Sequence, residues 1–177
     1  EMLSAVYEIA RDSNLALVSE LIVQEPFMEE KSREDFLEKF RRKAGKPLIG
    51  FCVLGSIFSE GIDLTGESLI GVVIVGTGLP QICNEREVIR EYFDRQQKKG
   101  YDYAYRYPGM NKVLQAAGRV IRTAQDTGTI LLMDERFLER ENQKLFPEEW
   151  DSYYGVNRQN YGKVLKDFWE ERRRRES

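Results

Sequence analysis

Apolar positions along this chain follow two different periods. Short, mostly apolar runs recur at Leu21–Gln24, Leu48–Leu54, Leu69–Val75 and Ile130–Met133. Each is bounded by proline, glycine or charge, the pattern of strands buried on both faces. Between them the apolar residues recur every three or four positions. Met2–Arg11 carries Leu3, Val6, Tyr7 and Ala10 on one stripe, and Ser32–Lys43 carries Phe36, Leu37 and Phe40. Glu85–Lys99 reads as a charged helix and Met110–Thr123 as an amphipathic one. Val156–Arg174 sets Tyr161, Val164, Leu165, Phe168 and Trp169 on one face. Strands alternating with helices predict one α/β domain with a mainly parallel central sheet flanked by helices. The first helix has no strand before it, so residue 1 is expected to lie inside a longer polypeptide.

Composition narrows the chemistry. Among 177 residues there is no histidine, which removes the commonest general base and most zinc sites. The two cysteines, Cys52 and Cys83, are far apart, so reduced thiols in a cytoplasmic protein are expected, with Cys52 in a strand. Lys and Arg total 27 against 30 Asp and Glu. Nucleic-acid binding would therefore need a local patch rather than a polybasic surface. No apolar run approaches the ~20 residues that span a bilayer, so no membrane partner is expected. The basic clusters Arg41-Arg42-Lys43, Lys98-Lys99 and Arg172–Arg175 read as solvated surface. Tyr101, Tyr103, Tyr105 and Tyr107 offer rings for base stacking, but packing against a neighbouring domain is the preferred expectation.

Two segments carry candidate chemistry. Gly55-Ser56-Ile57-Phe58-Ser59-Glu60-Gly61-Ile62-Asp63 follows the second predicted strand, at the strand end where open parallel sheets bind ligands. Its glycines, hydroxyls and carboxylates suit phosphates, ribose or a metal-bound water; a polar turn with an incidental Asp is the alternative. Gln115-Ala116-Ala117-Gly118-Arg119-Val120-Ile121-Arg122 sets Gln115, Arg119 and Arg122 at helical spacing, a multi-donor surface for phosphate oxygens. The alternative is a solvated face with Arg122 paired to Asp126. Ile130–Met133 followed by Asp134-Glu135 imitates a Walker B strand, yet no G-x-x-x-x-G-K-[ST] precedes it. Asp134 is expected at a strand end, paired with Arg136.

The order and spacing of these segments resemble motifs V and VI of superfamily-two helicases, and most closely the DinG/XPD branch of DNA helicases. Phe58–Leu64, Leu132–Phe137 and Gln24-Glu25-Pro26 share the likeness. The resemblance implies a RecA-like three-layer sandwich acting as the second motor domain, with residues 1–177 a piece of a longer helicase. Arg122 would be the arginine finger and Arg119 a second phosphate or coupling contact. Gln115 would meet the nucleotide or the facing domain, and Glu60, Gly61 and Asp63 would couple the nucleotide to the nucleic-acid track. Ser56, Ser59 and Thr77 would touch phosphates of single-stranded DNA, moved 5′→3′. The implied partner is the first RecA-like motor domain of the same polypeptide, which would hold most of the ATP with Mg. An iron–sulfur cluster, where the parent has one, would lie outside this chain, and the chain alone should not hydrolyse ATP. The competing reading is a non-catalytic nucleic-acid-binding or interaction module on the same fold.

Overall fold

Parallel pairing organises the strands. The computed structural model describes residues 2–42, 45–56, 64, 68–123 and 125–176. Strand β1 (Glu20–Val23) lies parallel to β2 (Leu48–Phe51), with Glu20 opposite Leu48 and Val23 opposite Phe51. Strand β3 (Gly71–Val75) lies parallel to β4 (Thr129–Met133), with Gly71 opposite Thr129 and Val75 opposite Met133. Parallel neighbours require a crossover connection. Helix α3 (Glu30–Arg41) lies in the first crossover, and α4 (Asn84–Gln97) with α5 (Tyr107–Ala117) in the second. Helices α1 (Met2–Arg11) and α2 (Leu15–Val18) precede β1; α6 (Arg140–Gln143) and α7 (Tyr161–Glu176) follow β4.

Among the described residues the strands form two two-stranded sheets instead of one continuous ladder. The boundary follows from hydrogen bonding and turn geometry. Strand β2 ends three residues before the apolar run does, because the Val53 N–H donates to Gln24 Oε1 (2.9 Å) rather than to a strand. Gly55 then turns the chain at φ 81°. Each pair carries its own core. Val113, Met110, Ala116 and Ala117 of α5 pack with Ile74 and Phe137 on one side. Ile22, Phe36 and Leu64 form the other cluster. The expectation of burial on both strand faces holds for one face of β3–β4 only. Ile74 is 3% exposed against α5, while Val73, Val75 and Met133 on the opposite face are 57%, 58% and 51% exposed.

Two local readings change. The helix expected over 110–123 begins at Tyr107, directly after a π-helical turn (Asp102–Arg106), and stops at Ala117. At its end Arg119 N–H and Val120 N–H bond three residues back, to the carbonyls of Ala116 (3.2 Å) and Ala117 (3.0 Å), tightening the last turn. Helix α7 starts at Tyr161 rather than Val156 because Asn157 Oδ1 accepts the N–H groups of Gln159 and Asn160 in a turn of its own. Part of the tyrosine segment packs within the domain. Tyr103 stacks on Phe93 with centroids 3.9 Å apart, and Tyr105 is buried with its hydroxyl donating to Glu87. Tyr101, by contrast, is 47% exposed.

A backbone-to-backbone contact pins α5 to the end of β3. A Cβ on Gly109 would stand 2.7 Å from the Thr77 carbonyl oxygen, and one on Gly78 would stand 2.7 Å from the Gly109 carbonyl oxygen. Gly78 also sits at φ 66°, which glycine alone adopts without strain. At the end of β4, Asp134 takes the Arg136 guanidinium through two bonds, Nε to Oδ1 (2.8 Å) and Nη2 to Oδ2 (2.7 Å), as its sequence position led us to expect. It also accepts the Arg136 N–H (2.9 Å), capping the 3₁₀ turn Glu135–Leu138. Arg136 thereby holds the Asp134 carboxyl below the usual carboxylate range.

Three measurements check this architecture. Gly109→Ala should lower stability by about 1–3 kcal/mol through overpacking, whereas Gly155→Ala, with nothing within 4 Å of the added methyl, should leave the melting midpoint unchanged. Because the folded carboxyl of Asp134 titrates below its unfolded value of about 3.9, its stabilisation is present above that pH and is lost as pH falls through the folded value. Urea denaturation of Asp134→Asn should thus lose about 1 kcal/mol at pH 7, since Arg136 is 42% exposed, and progressively less as the pH falls through the folded value. Burial pushes the Cys52 thiol up to about 12, so iodoacetamide at neutral pH should alkylate exposed Cys83 and spare Cys52 until the chain unfolds. Equal labelling of both thiols in the folded protein would contradict the burial of Cys52.

Candidate functional site

Both parallel pairs bring their carboxyl ends to the same edge. Past β2, Gln24 Oε1 accepts the Val53 N–H and also the Ser56 hydroxyl (3.0 Å), so one side chain from the end of β1 holds the loop that follows β2. Past β3, the 76–78 turn places Gly76 and Gly78 at φ 85° and 66°. The two loops meet, because a Cβ on Gly78 would lie 3.1 Å from Leu54 Cδ2. Ser56 and Thr77, singled out separately along the sequence, therefore lie on loops that touch at one strand edge. Helix α5 crosses behind them, with the aliphatic end of Lys112 against Gly55.

Thr77 is the unusual member. It is 4% exposed, and its hydroxyl oxygen is buried without a hydrogen-bond partner. Such a group costs about 1–3 kcal/mol unless something satisfies it. It lines a cavity of about 90 Å³ shared with Tyr101, Arg106, Arg136, Glu139 and Asn142. Arg106 is held by Asp102 one turn back and lies over the Tyr101 ring, 5.4 Å from its centroid. Asn142, 5% exposed, donates to the Arg136 carbonyl (2.7 Å) and so ties the far wall together. The cavity thus combines a hydroxyl, two carboxylate-paired guanidiniums, an aromatic ring and the Glu139 carboxylate, a set suited to a polar ligand unit with both donors and acceptors.

Arg119 and Arg122 lie elsewhere. Helix α5 runs back from the carboxyl edge and ends before them, so they do not share a helical face with Gln115, contrary to the spacing argument. Gln115 is on the helix and exposed; the arginines follow its end and are half-buried. Asp126 fixes the segment by accepting the N–H groups of Arg122 (3.0 Å) and Thr123 (2.9 Å) through Oδ2. Val120, beside them, contacts Gly128 just before β4, and the Thr129 N–H bonds to the Ile70 carbonyl just before β3. The arginine segment is therefore at the amino-terminal edge of β3–β4, while Thr77 is at the carboxyl edge. Five-residue strands put roughly 13 Å between the two edges. Ser59, Glu60, Gly61 and Asp63 lie outside the described residues.

Gln24, Lys112, Arg106 and Asn142 did not stand out as site residues from their own sequence neighbourhoods. Gln24 had a faint signal as part of the Gln24-Glu25-Pro26 segment, but its partners are about thirty positions away. No group of three or more His, Cys, Asp or Glu suited to a metal occurs among the described residues. No helix there is long and apolar enough to cross a membrane.

Comparison with known proteins places this geometry. A helicase C-terminal domain profile matches residues 1–153. A probable ATP-dependent helicase of Methanocaldococcus jannaschii is 29% identical over 124 residues, which is 65% of this chain and 18% of that protein. The ATP-dependent DNA helicase chl-1 of Caenorhabditis elegans is 31% identical over 115 residues, 62% of this chain and 14% of that protein. The regulator of telomere elongation helicase 1 of Bos taurus is 28% identical over 165 residues, 83% and 13% respectively. The aligned part is thus less than a fifth of each relative. A solved XPD helicase superposes on 78% of this chain and 25% of its own, with a TM-score of 0.57 and 22% identity, which shows a shared fold. A profile spanning 153 of the 177 residues shows that the chain belongs to the helicase C-terminal domain family.

Proposed function

We propose that this chain is the second motor domain of an ATP-dependent DNA helicase, facing a first RecA-like domain of the same polypeptide. The observation that carries this reading is the division of its polar chemistry between two strand edges. Arg119 and Arg122 stand at the amino-terminal edge of β3–β4, and Ser56 and Thr77 at the carboxyl edge. A motor of this type needs both: one edge to meet the nucleotide held by its partner domain, and another to meet the strand being moved.

The donor set fits part of an ATP site. Guanidiniums at 119 and 122 suit phosphate oxygens, but the sequence has no lysine-bearing phosphate loop. The facing domain would hold ATP with Mg, whose γ-phosphate transfer to water supplies the energy, and the isolated chain would not turn over. In that arrangement Arg122 stabilises charge on the transferring phosphoryl group, Arg119 adds a second phosphate contact, and Gln115 meets the nucleotide or the facing domain. Glu60, Gly61 and Asp63 would relay the state of that site to the strand edge. Closing and reopening of the two domains would then ratchet single-stranded DNA past Ser59, Thr77 and the loop holding Ser56, in the 5′→3′ sense that the DinG/XPD likeness favours.

An arginine finger contributes about 10³–10⁵ to the rate of phosphoryl transfer. Single-stranded-DNA-stimulated ATP hydrolysis by the complete parent protein should therefore fall at least about a thousandfold in Arg122→Ala, with DNA binding retained. Turnover equal to wild type would remove Arg122 from the mechanism. A parent without any turnover would favour a non-catalytic binding module instead.

A further inference from the structure

We propose that Lys112, positioned by Gly55 and backed by a loop that Gln24 locks, is the residue that meets a backbone phosphate of the nucleic acid beside the β2 loop, and that Ser56 is not. The assignment rests on the nucleic-acid reading above and deepens it.

The argument begins with the direction of one proton. A backbone N–H can only donate, so the Gln24 atom facing the Val53 N–H at 2.9 Å is an oxygen. The same Oε1 lies 3.0 Å from the Ser56 hydroxyl, which must then donate to it. With its proton spent on Gln24, Ser56 has only lone pairs to offer, and a phosphate oxygen is also an acceptor. Ser56, one of the two hydroxyls that sequence alone nominates for this loop, has the wrong polarity for a phosphate.

Lys112 has the right one. Its Cδ, Cε and Nζ lie 3.0, 3.1 and 3.3 Å from where a Cβ on Gly55 would stand, so the terminal half of the side chain crosses that glycine. Gly55, at φ 81°, both makes the turn and leaves the room. Lysines 39, 144 and 166 each pair with a carboxylate on the surface, whereas no ion pair of Lys112 occurs among the described residues. A half-buried lysine with no carboxylate partner among the described residues, at the strand edge already argued to face nucleic acid, is a donor suited to an anion. It is also one helical turn from Gly109, whose backbone abuts Thr77, so the contact sits on the same rigid segment as the cavity wall.

The experiment measures affinity of the complete parent protein for a fluorescent oligothymidylate across a salt series. Each phosphate contact on a single strand contributes about 0.7 to the slope of log affinity against log salt. Lys112→Met keeps the stem over Gly55 and removes the charge; its slope should be shallower by about 0.7, with weaker binding of every sequence alike. Lys112→Arg should restore the slope. Ser56→Ala should leave the slope at the wild-type value. An unchanged slope in Lys112→Met, or a slope lost in Ser56→Ala, overturns the assignment. Failure of the wild type itself to bind the oligonucleotide overturns the nucleic-acid reading, and this assignment with it.

Discussion

The close approach of Gly109 to the Thr77–Gly78 turn governs the rest of the domain. It is a contact of backbone on backbone, with 2.7 Å left where either glycine would carry a Cβ, so no side chain can mediate or relax it. That contact sets the start of α5 against the carboxyl end of β3. The helix then buries Met110, Val113, Ala116 and Ala117 on the sheet as it descends, and its length fixes how far away it ends. Everything carried by α5, from Lys112 to the arginine segment after it, inherits its position from that anchor.

One helix thereby serves two edges. Its first turns help to wall the Thr77 cavity and cross Gly55, and its far end releases the chain into the turn that Asp126 holds. Two chemistries separated by roughly 13 Å of strand are tied to a single rigid element. Rigid connection of that kind is what a motor domain requires if events at a nucleotide are to move a strand at the opposite edge. The half-exposed face of Val73, Val75 and Met133 belongs to the same sheet, on the side that α5 does not cover.

Electrostatics divides along the same line. At the carboxyl edge Arg106 and Arg136 are each matched by a carboxylate in their own segment, Asp102 and Asp134. Those pairs orient guanidiniums around the cavity without building a strong positive field. Among the described residues Lys112 has no such partner at this edge, which is why our proposal rests on this lysine and not on the arginine run at 172–175. Clustered charge on a surface helix is largely screened, while the Lys112 side chain is placed by its passage over Gly55.

The apolar periods were enough to reveal the parallel α/β character, all four strands and the approximate places of the long helices, because burial against a sheet or a helix imposes its period directly on the residues. The pairing of Asp134 with Arg136 two residues away was likewise legible. Tertiary structure decided what depends on partners distant in sequence. Gln24 and Ser56 are 32 positions apart, and only their meeting shows which of them donates. Whether Arg119 and Arg122 continue a helical face was settled by the tightened last turn of α5 and by Asp126, which spacing alone cannot weigh against propensity. Tyr103 and Tyr105, too, found their partners inside the domain once α4 folded beside them. Local pattern records which side of an element is buried; it carries no record of what lies across from it, and the chemistry of this site is made across such contacts.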